Sequence, residues 1–424
     1  MIEKIKNNFL LIVVIINILY LLIGSFLESI LLFSKLSFSY GCIFVLLPLN
    51  IIVSFMYRKK FKRDILYLLL FFIGLLGIVS TIFAYNHEEA IFGLPLWNEG
   101  ILMLIYYYSL FLISSILEEK SKKIIIHLII VVGVINILFG FCQKYRLFNV
   151  PTSSSQGKIF FSGLCGNPNF MGTLMTLCIS YLIGLYFDSK NCIAYYLFIL
   201  FFMIGLLMSD TLSALVGLLF VIGYVIVFSI KYKKIKKLII LLLSLFLITF
   251  TLHITKNTSL VDDFNIFKKQ TKELVTNTYE SDYNLGTGRV YVWKKTLSRV
   301  PYYFMIGVGV DNFTHIMNGR LPIYRYDKPY GKAHNEYLQI LITEGIYCFI
   351  AYLLFYFIIF KRSIVNSYKR KELYLVLPLI GYFVQAFFNI SVIDVAPLVY
   401  ITLGMNTRRW FYEIRSVIIN NEFK

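Results

Sequence analysis

The sequence predicts an all-α fold. It is a polytopic membrane helix bundle of about twelve transmembrane helices, with one large extracytoplasmic loop containing short amphipathic helices. Three observations carry this. The 424-residue chain is 58% hydrophobic and only 15% charged, whereas soluble domains carry about 25% charged residues. Its mean hydropathy is +0.73. Its apolar residues fall in runs long enough to cross a bilayer core of roughly 30 Å as helices.

The runs lie near Phe9–Phe26, Leu36–Met56, Ile65–Tyr85, Ile101–Leu117, Ile124–Phe141 and Phe170–Phe187, then near Ile193–Met208, Leu212–Ile230, Leu238–Ile254, Tyr337–Phe360, Leu373–Ile390 and Val392–Met405. Pro48 and Pro378 fall inside runs, where a proline kinks a membrane helix without ending the span. Lys4 and Lys6 precede the first run and no convincing small-residue cleavage site follows, so that run reads as an uncleaved span. Cys42, Cys142, Cys165, Cys178, Cys192 and Cys348 lie mostly inside the runs and none is paired as CxxC. They read as small buried hydrophobes rather than a disulfide framework or a metal site.

The net charge of +18 does not point to nucleic acid, because the basic residues form short clusters between apolar runs rather than one stripe. Clusters at 58–63, 120–123, 231–237 and 361–371, with Lys190 and Arg408-Arg409, fall on one side if the spans alternate. The positive-inside rule then puts both termini in the cytoplasm. Three segments face outward: His87–Glu99, Gln143–Asn169 and the long Lys256–Lys332. The organisation expected is an N-terminal bundle of about nine spans over 1–255, an extracytoplasmic catalytic loop over 256–335, and a C-terminal bundle of about three spans with a cytoplasmic tail over 336–424.

The long loop holds the chemistry. Thr287 reads as the N-cap of an amphipathic helix with Gly288 and Arg289 in its first turn. Val290, Trp293 and Leu297 recur at helical spacing, and Pro301 ends the run. Such a helix, with Trp293 beside Lys294, Lys295 and Arg299, suits a membrane interface. A cation in a first helical turn opposes the macrodipole. Arg289 is therefore either an anion ligand, as phosphate-binding arginines at helix starts are, or a solvated surface cation. His334 stands a few residues before the tenth span, beside Asn335 and Glu336. It reads as a general base near neutral pH or as a structural interfacial residue, and His334 or Asn335 can cap the helix that follows. Arg320, Arg325, Lys328 and Lys332 approach it through a Gly- and Pro-containing stretch that is either a closing loop or a solvated linker.

Two shorter segments add to this. Gly163–Asn169 breaks the backbone just before a span, as chains lining a cavity do, with Lys158, Lys144 and Arg146 as local cations. Ala90–Gly93 through Gly100 reads as an interfacial loop anchored by Trp97.

Taken together, six stretches resemble the O-antigen ligase/polymerase family of polytopic membrane glycosyltransferases, and most closely its Gram-positive branch. They are Ala90–Gly93 with Glu99-Gly100; Gly166–Asn169; Thr287–Arg289 with Trp293; Gly307–Phe313; His334–Gln339 with Glu344-Gly345; and Gln385–Pro397. The resemblance implies transfer or polymerisation of an oligosaccharide from undecaprenyl pyrophosphate onto an acceptor glycan hydroxyl at the outer membrane face, in cell-surface polysaccharide biosynthesis. It implies Arg289 on the pyrophosphate and His334 orienting or deprotonating the acceptor. Lys158, Asn167, Asn169, Arg320, Arg325, Lys332, Asn335 and Glu336 would contact substrate. No metal or other cofactor is expected. The partners are the lipid-linked donor, the acceptor glycan and membrane lipids, not nucleic acid. The sequence departs from the family where an Arg often precedes Asn-Pro-Asn and where Ser-Arg often opens the eighth span; here that span opens Asp210-Thr211-Leu212-Ser213-Ala214. One pyrophosphate contact is then absent, or supplied by Lys158, Arg320 or Arg325.

The competing reading is a transporter or flippase of lipid-linked glycans. Such proteins show internal repeats and mid-membrane ionisable residues, and neither stands out here.

Overall fold

The structure is a computed structural model that describes residues 2–31, 35–61, 64–95, 97–152, 154–155, 158–190, 192–255, 258, 265, 268–269, 288–317 and 331–407; the side chains of 2–4, 6, 29–31, 35, 149, 154–155 and 158 are outside that description. Most of the 256–335 segment, including Thr287, Arg320, Arg325 and Lys328, thus lies outside the described residues, as do Arg408 and Arg409.

The architecture is helical, and the protein is a multi-pass membrane protein. Eight helical segments are long and apolar enough to cross a membrane, and four more apolar helices are shorter. Together they fall on the twelve apolar runs. The helices are α1 (Ile2–Leu31), α2 (Lys35–Gly41), α3 (Leu47–Met56), α4 (Ile65–Ile82), α5 (His87–Phe92), α6 (Ile101–Ser115), α7 (Glu119–Lys144), α8 (Pro168–Asp188), α9 (Ile193–Met208), α10 (Leu212–Lys231) and α11 (Ile235–Ile254). They continue as α12 (Arg289–Arg299), α13 (Glu336–Arg370), α14 (Val376–Gln385) and α15 (Ala396–Met405). A two-stranded hairpin, β1 (Ser154–Ser155) against β2 (Lys158–Ile159), is the sheet among the described residues.

The two prolines behave differently from kinks in mid-helix. A π-helical turn over Cys42–Leu46 joins α2 to α3, and Pro48 sits in the first turn of α3 just after it. The wide turn absorbs the missing donor. Pro378 is in the first turn of α14, where its absent N–H would have had no intrahelical partner.

Helix α8 is the centre of the bundle, buried over its whole span, while α11 is the most peripheral. Helices α9, α10 and α14 pack on α8, α13 packs on α4, and α15 packs on α6. Close crossings use small residues, as membrane bundles do: a Cβ on Gly217 would stand 2.8 Å from the Gly381 carbonyl oxygen. Buried polar pairs add interhelical hydrogen bonds. Asn17 donates to Asn50 (3.0 Å), and Asn50 donates to Asn17 and to Ser109 (both 3.1 Å), tying α1, α3 and α6. Tyr181 donates to Thr402 (2.7 Å), tying α8 to α15. At the opposite end from the site, Arg362 grips Asp64 through both guanidinium nitrogens, at 2.6 and 2.9 Å, and Asp64 also caps α4 by accepting from Leu66 N.

All six cysteines are free thiols, four of them buried.

Candidate active site

Helix α13 has 35 residues. At 1.5 Å per residue it would be about 50 Å long, well beyond a bilayer core of roughly 30 Å. It does not run unbroken. Gly345 has φ 81° and ψ 177°, which splits α13 into a short N-terminal part and a longer part of membrane-spanning length. At the break the regular ladder is replaced by an incoming segment of the long loop. Ile346 N donates to Phe304 O (2.8 Å), Val308 N to Ile342 O (3.0 Å) and Gly309 N to Thr343 O (3.1 Å). Ser80 Oγ also donates to Thr343 O at 2.6 Å. Ile346 N and the carbonyls of Ile342 and Thr343 thus find partners outside the helix, as buried backbone requires. Gly307 and Gly309 make the approach with φ of 86° and 111°.

The chain then turns at Asp311, and this carboxylate is a hub. Its Oδ2 accepts from Leu94 N (2.7 Å) and Glu99 N (3.3 Å). Its Oδ1 meets Lys332 Nζ at 2.6 Å, and the same ammonium lies 3.6 Å from Glu99 Oε2. Tyr107 donates to Glu99 Oε1 at 2.6 Å. The three charged side chains are almost wholly buried. Burial pushes the Glu99 carboxyl up to about 7, against the pull of Lys332 and Tyr107. Burial lowers the Lys332 ammonium, but Asp311 and Glu99 outweigh it and hold that group above its ordinary value. Next to the hub, Asn312 and Asn86 exchange hydrogen bonds at 2.7 and 3.1 Å, and His315 pairs with Glu89 at 2.9 Å.

Glu336 opens α13 and is buried. Its two carboxylate oxygens accept from Tyr352 and Tyr382, both at 2.6 Å, and its N–H donates to Ala386 O at 2.9 Å. From Ala386 the chain runs to Asn389, which donates to Asn169 O (3.2 Å) and Thr173 Oγ1 (2.9 Å) at the start of α8. A cavity of about 50 Å³ lies between these elements, lined in part by Glu99, Asp311, Lys332, Glu336, Gln339 and Glu344.

Arg289 and His334 flank this arrangement, and neither is among the cavity's lining residues. Arg289 is the first residue of α12, whose N-cap is Gly288 at φ 87°. This differs from the expected cap at Thr287: the helix starts one residue later, because glycine reaches the left-handed conformation that admits the chain. The buried face of α12 is also turned from the expected one. It is Val292 and Thr296 that are buried, while Leu297 is 56% exposed. Trp293 reaches inward, donating to Ala333 O at 3.0 Å. That bond ties the helix of Arg289 to the residue before His334. Ala333 N in turn donates to Gln339 Oε1 at 2.8 Å. His334 itself is left-handed, φ 51°, a conformation a bulky residue holds only when its surroundings demand it. Burial, then the positive charges of Arg289 and Lys332, push its imidazole down to about 4.

The remaining site candidates divide clearly. Asn167 caps α8, accepting from Asn169 N at 2.9 Å, and Asn335 caps α13, accepting from Leu338 N at 3.0 Å. Lys332 is neutralised by two carboxylates. Lys158 has its backbone in β2 and its side chain outside the described residues, where Arg320 and Arg325 also lie. Trp97 packs edge-on against Phe170, with ring centroids 6.2 Å apart, rather than projecting as an anchor. Glu99, Asp311 and Glu344 stand within the sequence motifs but are not among the site residues that those motifs imply. The signal available was their charge beside membrane spans. Tyr352 and Tyr382 carried no signal among 32 tyrosines. Among the described residues no group of three or more His, Cys, Asp or Glu side chains is disposed to hold a metal ion.

Residues 196–353 match the family model described as O-Antigen ligase. A comparison with curated proteins gives no match. The matched stretch runs from α9 into the middle of α13, so it contains Arg289, Asp311, Lys332, His334, Glu336 and the Gly345 break, while Glu99, Tyr382 and Asn389 lie outside it. Over residues 196–353, then, this multi-pass membrane protein is similar to the O-antigen ligase family.

Proposed function

We propose that the protein is a glycosyltransferase of the O-antigen ligase type, moving an oligosaccharide from undecaprenyl pyrophosphate to an acceptor glycan hydroxyl at the outer face of the cytoplasmic membrane. The observation that carries this lies within the matched region: Arg289 opens the helix whose Trp293 donates to Ala333 O at 3.0 Å, the residue before His334. Arg289 is a fixed cation at a helix start, suited to a diphosphate. His334 is neutral at physiological pH, so a ring nitrogen can accept the acceptor's proton. In the transfer step the acceptor oxygen bonds the anomeric carbon of the donor sugar and its proton passes to His334. The anomeric carbon–oxygen bond to phosphate breaks, and the electron pair stays on the departing lipid pyrophosphate, whose charge Arg289 stabilises.

The one-sided clusters of Lys and Arg support cytoplasmic termini and an outward-facing 256–335 segment. Thiol labelling in intact cells should reach Glu88→Cys and spare Lys59→Cys; the reverse pattern inverts the topology. For the activity itself, the purified chain is reconstituted with lipid-linked donor and acceptor in the presence of chelator. The expected result is a lengthened or newly capped acceptor with release of undecaprenyl pyrophosphate. Movement of intact lipid-linked donor across the bilayer without bond cleavage would replace this reading with transport.

A further inference from the structure

Between α12 and the turn at Gly307, the chain makes an irregular tip over residues 301–306 whose large side chains point outward. Tyr302 is 77% exposed, Met305 53%, Phe304 44% and Ile306 36%. A tip that opens on a single 3-10 turn over Val300–Tyr302 and shows four large apolar or aromatic side chains in five residues is not built for water. Its place in the fold says what covers it. The tip is pinned to two membrane spans at their ends. Tyr303 bonds Tyr85 through their hydroxyls at 3.1 Å, with ring centroids 6.2 Å apart, just beyond the end of α4 at Ile82. Phe304 O accepts from Ile346 N at the break in α13. Both flanking spans expose large apolar or aromatic side chains near these attachment points, Ile82 at the end of α4 with Phe83 just beyond it, and Tyr347 and Ile350 on α13.

We infer that the 301–306 tip is immersed in the bilayer, at the acyl–headgroup boundary of the leaflet on the side that carries Arg289 and His334. The occupant of this surface is lipid. Irregular backbone is tolerated at that depth only where its polar groups are satisfied by protein, and here Tyr303 N donates to Val300 O, Gly307 N to Tyr303 O, and Phe304 O accepts from Ile346 N. Tyr302 and Tyr303 are the residue type that membrane interfaces favour. Lys294, Lys295 and Arg299 on the adjoining helix supply the basic residues that such interfacial elements carry. The tip therefore fixes the depth of α12, and with it the height of Arg289 above the bilayer. This does not depend on the transferase reading, and its failure would leave that reading standing.

The test uses the full chain in proteoliposomes of phosphatidylethanolamine and phosphatidylglycerol, with the half-buried Cys142 and Cys192 replaced by serine. Tyr302→Cys and Met305→Cys are each labelled with a nitroxide, and collision with oxygen is compared with collision with a water-soluble nickel chelate. Glu88→Cys supplies the aqueous reference and Phe246→Cys, 69% exposed in α11, the lipid reference. Both tip labels should favour oxygen over nickel several-fold more than Glu88→Cys does. Nickel preference at both positions, as at Glu88→Cys, would put the tip in water. Exclusion of both reagents with dipolar broadening of the spectrum would put a second copy of the chain there instead. Either result overturns the inference.

Discussion

Lys332 Nζ lies 2.6 Å from Asp311 Oδ1 and 3.6 Å from Glu99 Oε2, in a pocket where all three side chains are 5% exposed or less. This joins the end of the long loop to the α5–α6 connection and to the turn after Gly309. A lysine held this way serves as a strut, since its charge is spent on two carboxylates.

Removing the strut should be costly. Lys332→Met leaves two buried carboxylates facing each other, and breaking a buried pair costs about 3–5 kcal/mol. The thermal unfolding midpoint in detergent should fall sharply, and the triple change with Asp311→Asn and Glu99→Gln should recover much of it. The Glu99 carboxyl, at about 7, holds a proton that the unfolded chain releases near 4.5. Its contribution to stability is therefore fully present below about 4.5 and fades as pH rises toward 7. Unfolding midpoints of the parent should drop more between pH 5 and pH 8 than those of Glu99→Gln. An equal drop would mean Glu99 is ionised throughout.

The two flanking residues should fail differently when replaced. Arg289→Ala removes a charge-assisted contact to the leaving pyrophosphate, and loss of one such donor costs roughly 10²–10³ in turnover. Arg289→Lys should recover part of it, because a point charge does not copy a two-pronged guanidinium. His334→Ala should slow transfer by about 10²–10⁴ if the imidazole is the base, while donor binding stays close to the parent value. Weak donor binding by His334→Ala with normal transfer at saturation would exchange the two roles.

The low basicity of His334 leads to a further expectation. Its imidazole is at about 4 with Arg289 and Lys332 nearby, and a bound diphosphate would offset those positive charges and raise it. The acid limb of kcat/KM, which reports the free enzyme, should lie near pH 4. That of kcat, which reports the donor complex, should move up toward the ordinary histidine value. A limb near pH 7 that vanishes in Glu99→Gln belongs to Glu99. Coincident limbs for kcat and kcat/KM would show that the donor does not approach His334. For stability the sign is opposite to that of Glu99: the unfolded chain takes up a proton near 6.5 and the fold resists it, so this group destabilises the fold as pH falls from about 6.5 to 4.

The spans were legible because apolar length is a direct consequence of bilayer thickness, and the helix start at Asn335 follows from capping chemistry. The break at Gly345 was not legible as a break. Its flanks are apolar on both sides, and only the docking of Phe304, Val308 and Gly309 makes the interruption stable. The convergence of six separated stretches could be inferred from resemblance, but not which contacts join them. Lys332 illustrates the reason. Its charge reads as an anion ligand from sequence, and its neutralisation depends on Asp311, 21 residues earlier, and on Glu99, more than 200 residues earlier. Leu297 shows the same limit on a smaller scale: helical spacing gives the stripe, while tertiary contacts at Ala333 decide which stripe is buried.

The break itself offers the sharpest test of how the site is held. Gly345, at φ 81° and ψ 177°, occupies a backbone region essentially restricted to glycine, so a side chain there costs about 1–3 kcal/mol in strain alone. A Cβ would also run into the Met305 carbonyl oxygen. Gly345→Ala should therefore push the 303–309 segment off α13, lowering the unfolding midpoint and, with Asp311 and Lys332 displaced, the transfer rate as well. Two other glycines separate the causes. Gly166 has φ 66° but open space around its Cβ position, so Gly166→Ala should show only the milder strain of a left-handed alanine. Gly223 lies within α10 with neither strain nor neighbours, so Gly223→Ala should be neutral or stabilising by about 0.5–1 kcal/mol. The expected order of damage is Gly345, then Gly166, then Gly223. If Gly345→Ala unfolds and works like Gly223→Ala, the interruption in α13 does not hold the loop in place.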